Sequence, residues 1–289
     1  MKTYLDCFPC FLQQALNAVR FTTDDERIHE RVMAEVVKSA ASIDPHQTPP
    51  EMGQKIHRLI RELTGNDDPY RKVKERFNRY ALDRAGEYRQ KINASPRPLN
   101  TAVRLAIAGN IIDFGPRSEL DDAVVNQAVE SALTQPMDET DFALFQKETE
   151  RAGRILYLGD NAGEIVFDRL LIELLPRDKI TFAVKSRPVI NDATREDAVS
   201  AGLDTLVNII ENGSDAPGTI LKQTSGEFRE HFDKADMIIA KGQGNYETLS
   251  EENQNIFFLL KAKCPVIARH LNVAIGSLVL RRTSNHGRP

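Results

Sequence analysis

From the amino terminus to about residue 134, apolar side chains recur every three or four positions: Ile28, Val32, Val36 and Ala40; Met52, Ile56, Leu59 and Leu63; Val73, Phe77 and Tyr80. That spacing predicts amphipathic helices, each burying one stripe, with the charged stretches DDERIHER and RKVKERFNR as solvated faces. TAVRLAIAGNII, after Pro96 and Pro98, and ELDDAVVNQAVESAL, after Gly115 and Pro116, continue the pattern. Beyond residue 153 the grammar changes. RILYLGD, KITFAVKS, TLVNIIEN, DMIIAKG and CPVIARHL are short runs of mostly branched apolar residues, separated by polar or helical stretches. This alternation predicts parallel strands joined by crossover helices. The expectation is a helical domain over residues 1–150 and an α/β domain over 151–289, ending in a frayed tail, RRTSNHGRP.

Composition narrows the classes. The 289 residues are 41% hydrophobic and 28% charged, enough for a large buried core. Forty-two acidic against 38 basic side chains leave a formal charge of −4, and no basic stripe tracks a nucleic-acid backbone. No apolar stretch approaches the roughly 20 residues that span a bilayer, and Asp6 and Pro9 interrupt any secretory segment. A cytoplasmic protein with neither nucleic-acid nor membrane partners is expected. The three cysteines are too few for a disulfide scaffold. Cys7 and Cys10 have the spacing of a zinc clip or redox pair, but no second Cys-x-x-Cys exists, and a thiol pair at a helix start with Pro9 in its first turn fits equally. Cys264 opens the apolar CPVIARHL run and reads as core.

In an open parallel sheet, ligands collect at the carboxyl ends of the strands, where loops and helix starts offer free N–H groups and polar side chains. The first such end is GDNAGEI, with Asp160 and Asn161 as adjacent oxygen ligands and Gly163 beside the next helix. The second is KSRPVINDAT, with Lys185, Arg187, Asn191 and Asp192. Another is KGQGNYET, with Lys241, Gly242, Gly244 and Asn245. A hard divalent cation prefers carboxylate and carbonyl oxygens and leaves positions for phosphate, so Asp160, Asn161 and Asp192 form a candidate metal set. Lys185, Arg187 and Lys241 are candidate phosphate partners, aided by backbone N–H groups from Gly242 to Gly244. Glu164, one helical turn beyond Asp160, is a candidate base or support for a ligand. Each loop taken alone could merely cap a helix or make a turn. Three of them, each at the end of a predicted parallel strand, are more than capping requires.

These segments, with Asp6, Cys7 and Cys10, AGNIIDFG at 108–115, GDNAGE at 159–164, NDAT at 191–194 and KGQGN at 241–245, resemble the damage-control phosphatases, long catalogued as domain of unknown function 89, and within them the Cys-x-x-Cys-bearing prokaryotic branch. The resemblance runs from residue 3 to about 280. It implies a Rossmann-like α/β/α three-layer core with an added helical domain. It further implies a divalent metal (Mn²⁺, Mg²⁺, Co²⁺ or Ni²⁺) on Asp160, Asn161 and Asp192, and phosphatase activity on sugar phosphates or damaged phosphometabolites. Lys241, Gly242, Gln243, Gly244 and Asn245 would line the substrate site, joined by Asn110 and Asp113 from the helical domain. The expected catalytic group is Asp160, Glu164 and Lys241, with water or a carboxylate attacking phosphorus and Cys7 and Cys10 as a second metal site. The competing expectations are an S-adenosylmethionine-dependent methyltransferase, whose cofactor would want more glycines than GDNAGE supplies, and a metal- or redox-sensing binding protein.

Overall fold

The computed structural model describes residues 1–109 and 122–283. Three helices, α1 (Cys7–Thr22), α2 (Glu26–Ala41) and α3 (Pro49–Thr64), close around their own core of Phe11, Val19, Val32, Val36, Met52, Ile56 and Ile60. The start of α3 is written in its first residues. Thr48 and Glu51 form a reciprocal capping box, and Pro49 occupies the first helical position, where a missing N–H costs nothing. Helices α4 (Arg71–Ala94), α5 (Pro98–Ala108), α6 (Asp122–Thr134) and α7 (Glu139–Arg151) follow.

Six strands then form one sheet: β1 (Ile155–Leu158), β2 (Ile180–Val184), β3 (Asn208–Glu211), β4 (Met237–Lys241), β5 (Ile256–Lys261) and β6 (Leu278–Arg282), in the order β3-β2-β1-β4-β5-β6. All neighbours are parallel except β6, which runs against β5. Between them lie α8 (Glu164–Ile172), α9 (Arg195–Ser200), α10 (Gly226–Lys234), α11 (Gly242–Leu249) and α12 (Pro265–Leu271). The period of two along each strand makes the three layers. Ile155, Tyr157, Met237, Ile239, Phe257 and Leu259 pack with α4 to α9 on one face, while Leu156, Leu158, Ile238, Ala240 and Phe258 pack with α10 to α12 on the other. Each fully buried phenylalanine here contributes about 1.5–3 kcal/mol.

Two expectations fail at the carboxyl-terminal edge. CPVIARHL is not a strand: Cys264 is the N-cap and Pro265 the first residue of α12, which buries Val266, Ile267, Ala268 and Leu271 at helical spacing. The strand of that region is the preceding run, IFFLLK, and the parallel sheet is bordered by an antiparallel edge strand, β6, which includes Arg281 and Arg282 of the expected frayed tail. Among the described residues no helix is long and apolar enough to cross a membrane.

Candidate active site

Strand order reverses direction between β1 and β4, and at this switch point the loops after β1, β2 and β4 meet. Backbone bonds join the first two. Ala193 N–H donates to Asp160 O and Ala162 N–H to Asn191 O, each at 2.8 Å, and Asn161 and Asp192 form an isolated bridge. Residues distant in sequence are thereby set side by side. The loop after β2 carries strain as well: Ile190, two residues before Asp192, has φ of 48°, a left-handed conformation that a β-branched side chain rarely adopts.

Asp160 lies hard against the start of α11, where Gly242 has φ of 78° and any Cβ would overlap the Asp160 carboxylate. Enclosure pushes the Asp160 carboxyl well above its ordinary range, and the neighbouring charges of Glu164 and Asp192 push it further. Burial likewise raises Asp192 to about 6, although Lys185 opposes the shift. Among the described residues none makes a well-formed hydrogen bond to the buried Asp192 Oδ2; its charge partner is Lys185 Nζ at 3.4 Å. Asn161 Nδ2 donates to Asp160 Oδ2 and to Glu164 Oε2, both at 3.1 Å. Among the described residues no three acidic, thiol or imidazole groups form a ready-made metal cage. The candidate set here is two carboxylates and an amide. Hard oxygens, mutual repulsion and a buried unsatisfied acceptor are nevertheless what a divalent cation relieves, so the residues fit such an ion.

Lys241 departs from expectation. It is 0% exposed, and its ammonium donates to Glu164 Oε1 at 2.6 Å, Asp168 Oδ1 at 2.5 Å and Ala106 O at 2.8 Å. All three donors are used inside the protein, leaving none for phosphate. Glu164, with Lys241 on one oxygen and Asn161 on the other, is engaged as a support rather than poised as a base. Asp168, absent from the sequence expectations, also accepts the Tyr157 hydroxyl at 2.7 Å. Its signal was present: it stands four residues after Glu164 on a mostly apolar helix, EIVFDRLLI.

The remaining loop residues divide. Lys185 is buried and donates to Gly218 O as well as facing Asp192, whereas Arg187 is exposed on the same loop. Asn245 is a backbone staple, donating to Lys241 O at 2.8 Å and accepting from Thr219 at 2.7 Å. Gly244 passes close to Gly218, where neither tolerates a Cβ without displacement. Gln243 is held by its own side of the sheet, donating to Glu247 at 2.9 Å, approaching Cys264 Sγ at 3.7 Å and accepting from Lys263 N–H at 3.2 Å. Cys7, Cys10 and Cys264 are free thiols. Burial raises the pKa of Cys7 and Cys10, with the Glu247 and Cys264 charges adding to both. Cys264 is half-buried at a helix cap rather than inside a strand. Asn110 and Asp113 lie outside the described residues.

Two helices of the first half cover the loops. Asn78 of α4 accepts Gly163 N–H at 2.6 Å, and Phe77 fills the space that a Cβ on Gly163 would need. From α3, Gln54, Arg58 and Arg61 all donate to Asp215. Burial opposes ionisation of Asp215, but hydrogen bonds from Arg58 and Gln54 and the charges of Arg58 and Arg61 outweigh it and hold the carboxyl below its ordinary range.

The model of the damage-control phosphatase ARMT1-like domain matches residues 3–279. A damage-control phosphatase of Pyrococcus horikoshii is 40% identical, covering 98% of each chain, and one of Archaeoglobus fulgidus is 35% identical, covering 97% of this chain and 99% of its own. The crystal structure of a DUF89 family protein from P. horikoshii superposes with a TM-score of 0.88 at 38% identity, over 98% of this chain and all of that one.

Proposed function

The chain belongs to the damage-control phosphatase family, and from that membership we propose that it hydrolyses phosphate esters of small metabolites with the aid of a divalent cation on Asp160, Asn161 and Asp192. The observation that carries the metal is the pair of carboxylates brought together at the switch point, one with a buried oxygen that, among the described residues, has only the Lys185 ammonium at 3.4 Å near it. Bound there, Mg²⁺, Mn²⁺, Co²⁺ or Ni²⁺ would supply Lewis-acid neutralisation of phosphate oxygens. The protein's own groups do the rest. Lys185 balances the charge of Asp192, and Arg187, exposed on the same loop, is a cation that could meet a phosphate oxygen, as is the exposed Lys263, whose charge acts on Asp160. The first turn of α11 brings backbone N–H groups beside Asp160. Covers from α3 and α4 limit water around the reacting ester, which strengthens each of these charges. Sugar phosphates and damaged phosphometabolites are the substrate class that membership in the family suggests.

The test is hydrolysis of p-nitrophenyl phosphate by protein stripped with EDTA and dialysed, before and after each metal is restored. Turnover is expected only with metal. Undiminished turnover in protein shown to be metal-free would sink the proposal.

A further inference from the structure

Asn161 can offer a cation either its carbonyl oxygen or, after a half-turn of the amide, an NH₂ group that repels it. The surroundings decide which. Its Nδ2 is held by Asp160 Oδ2 and Glu164 Oε2, both carboxylate oxygens, which accept hydrogen bonds and cannot donate them when ionised. No described residue donates to its Oδ1. Glu164 is kept as an acceptor by Lys241, and Lys241 is aimed by Asp168, which in turn takes the Tyr157 hydroxyl. Tyr157, Glu164, Asp168 and Lys241 are all buried, with the side chains of Glu164, Asp168 and Lys241 at 0% exposure, so solvent cannot substitute for a link among these four, while Asn161 itself is half-buried.

We infer that Asp168 and Tyr157 are positioning residues: acting through Lys241 and Glu164, they lock the Asn161 amide with its carbonyl oxygen available to the cation. This rests on the metal reading of the site and extends it inward by two layers of side chains. Lys241 is the pivot because its three donors are shared among a helix carbonyl and two carboxylates, so removing either carboxylate lets the ammonium and then Glu164 reorient. Groups that orient a metal ligand from behind typically change metal affinity ten- to a hundredfold, approximately, when removed.

The experiment is isothermal titration of the chelator-treated full chain with Mn²⁺, on wild type, Asp168→Asn, Tyr157→Phe and Asp192→Asn, with circular dichroism and melting in EDTA as the check on folding. Asp168→Asn is expected to bind Mn²⁺ about tenfold or more weakly, and Tyr157→Phe a few-fold more weakly, following the order of their distance from Asn161. In turnover assays the Mn²⁺ needed for half-maximal rate should rise while KM for p-nitrophenyl phosphate at saturating Mn²⁺ stays unchanged. A role confined to stability would lower the melting temperature in EDTA and leave the Mn²⁺ affinity alone. If both inner variants bind Mn²⁺ like wild type while Asp192→Asn does not, the positioning inference falls and the metal reading stands. If wild type itself binds none, both fall. Should Asp168→Asn fail to fold, Tyr157→Phe, which removes one hydrogen bond and no charge, decides the matter alone.

Discussion

The two edges of the sheet make opposite use of charge. At the amino-terminal edge a cavity of about 630 Å³ is lined by Arg154, Arg177, Lys179, Asp178, Asp204 and Lys234. Arg154, Arg177, Asp178, Asp204 and Lys234 there are exposed, and Lys234 is satisfied by its helix neighbour Glu230. At the carboxyl edge the groups are fewer and, apart from the half-buried Asp160, buried, and their charges conflict: Asp160, Glu164 and Asp192 repel one another, with Lys185 and Lys241 committed nearby. Volume alone would favour the first edge as a binding site. Electrostatics favours the second, because ionised groups are withdrawn from water at a cost only where something other than stability rewards it.

The contrast can be broken by substitution. The largest effect should come from Lys241→Met, which leaves Glu164 and Asp168 buried without their cation; a loss of about 3–5 kcal/mol in urea unfolding is expected, and adding Asp168→Asn should recover part of it. Next comes Asp192→Asn, which keeps size and polarity but removes a charge. Its rate on p-nitrophenyl phosphate should fall by about a hundredfold or more while its melting point in EDTA stays near wild type, since a Lewis acid contributes several kcal/mol to such reactions. Gly242→Ala forces a Cβ toward the Asp160 carboxylate at φ of 78°, and should cost about 1–3 kcal/mol in stability together with a several-fold fall in rate. The smallest effect belongs to the opposite edge. Arg177→Ala should leave both stability and rate within about twofold, as exposed charges contribute little. A large loss of rate there would move the search for substrate to the amino-terminal cavity.

The sequence made the two halves of the structure legible to different depths. Periodicity located the helices around Val32, Ile56 and Phe77 and the first four strands, because each buries a stripe or a whole run. It misplaced the fifth strand because a short apolar run with Val266 and Ile267 suits strand and helix alike, and Pro265 was the deciding residue. The loop after β1 and Asp192 were visible from topology, since a parallel pair must bring its carboxyl ends together. The role of Lys241 was not visible from composition, although the alternation of Met237, Ile239 and Lys241 already placed it on the face packed by α5 and α8. The direction of Gln243, the strained φ of Ile190 and the inner carboxylate Asp168 depend on packing between distant segments, which a single sequence does not spell out.

Lys241 has a consequence for how the molecule assembles. Its bonds close separations of 73, 77 and 135 residues, to Asp168, Glu164 and Ala106. Contacts this remote bring loop-closure entropy that must be overcome before they return any stabilisation, so they form late relative to helices and adjacent strands. A refolding chain should therefore regain its circular dichroism first and its phosphatase activity afterwards, once one ammonium group has been seated between a helix end and two acids. The same lysine that keeps Glu164 in place thus ties competence for chemistry to completion of folding across the full length between α5 and β4.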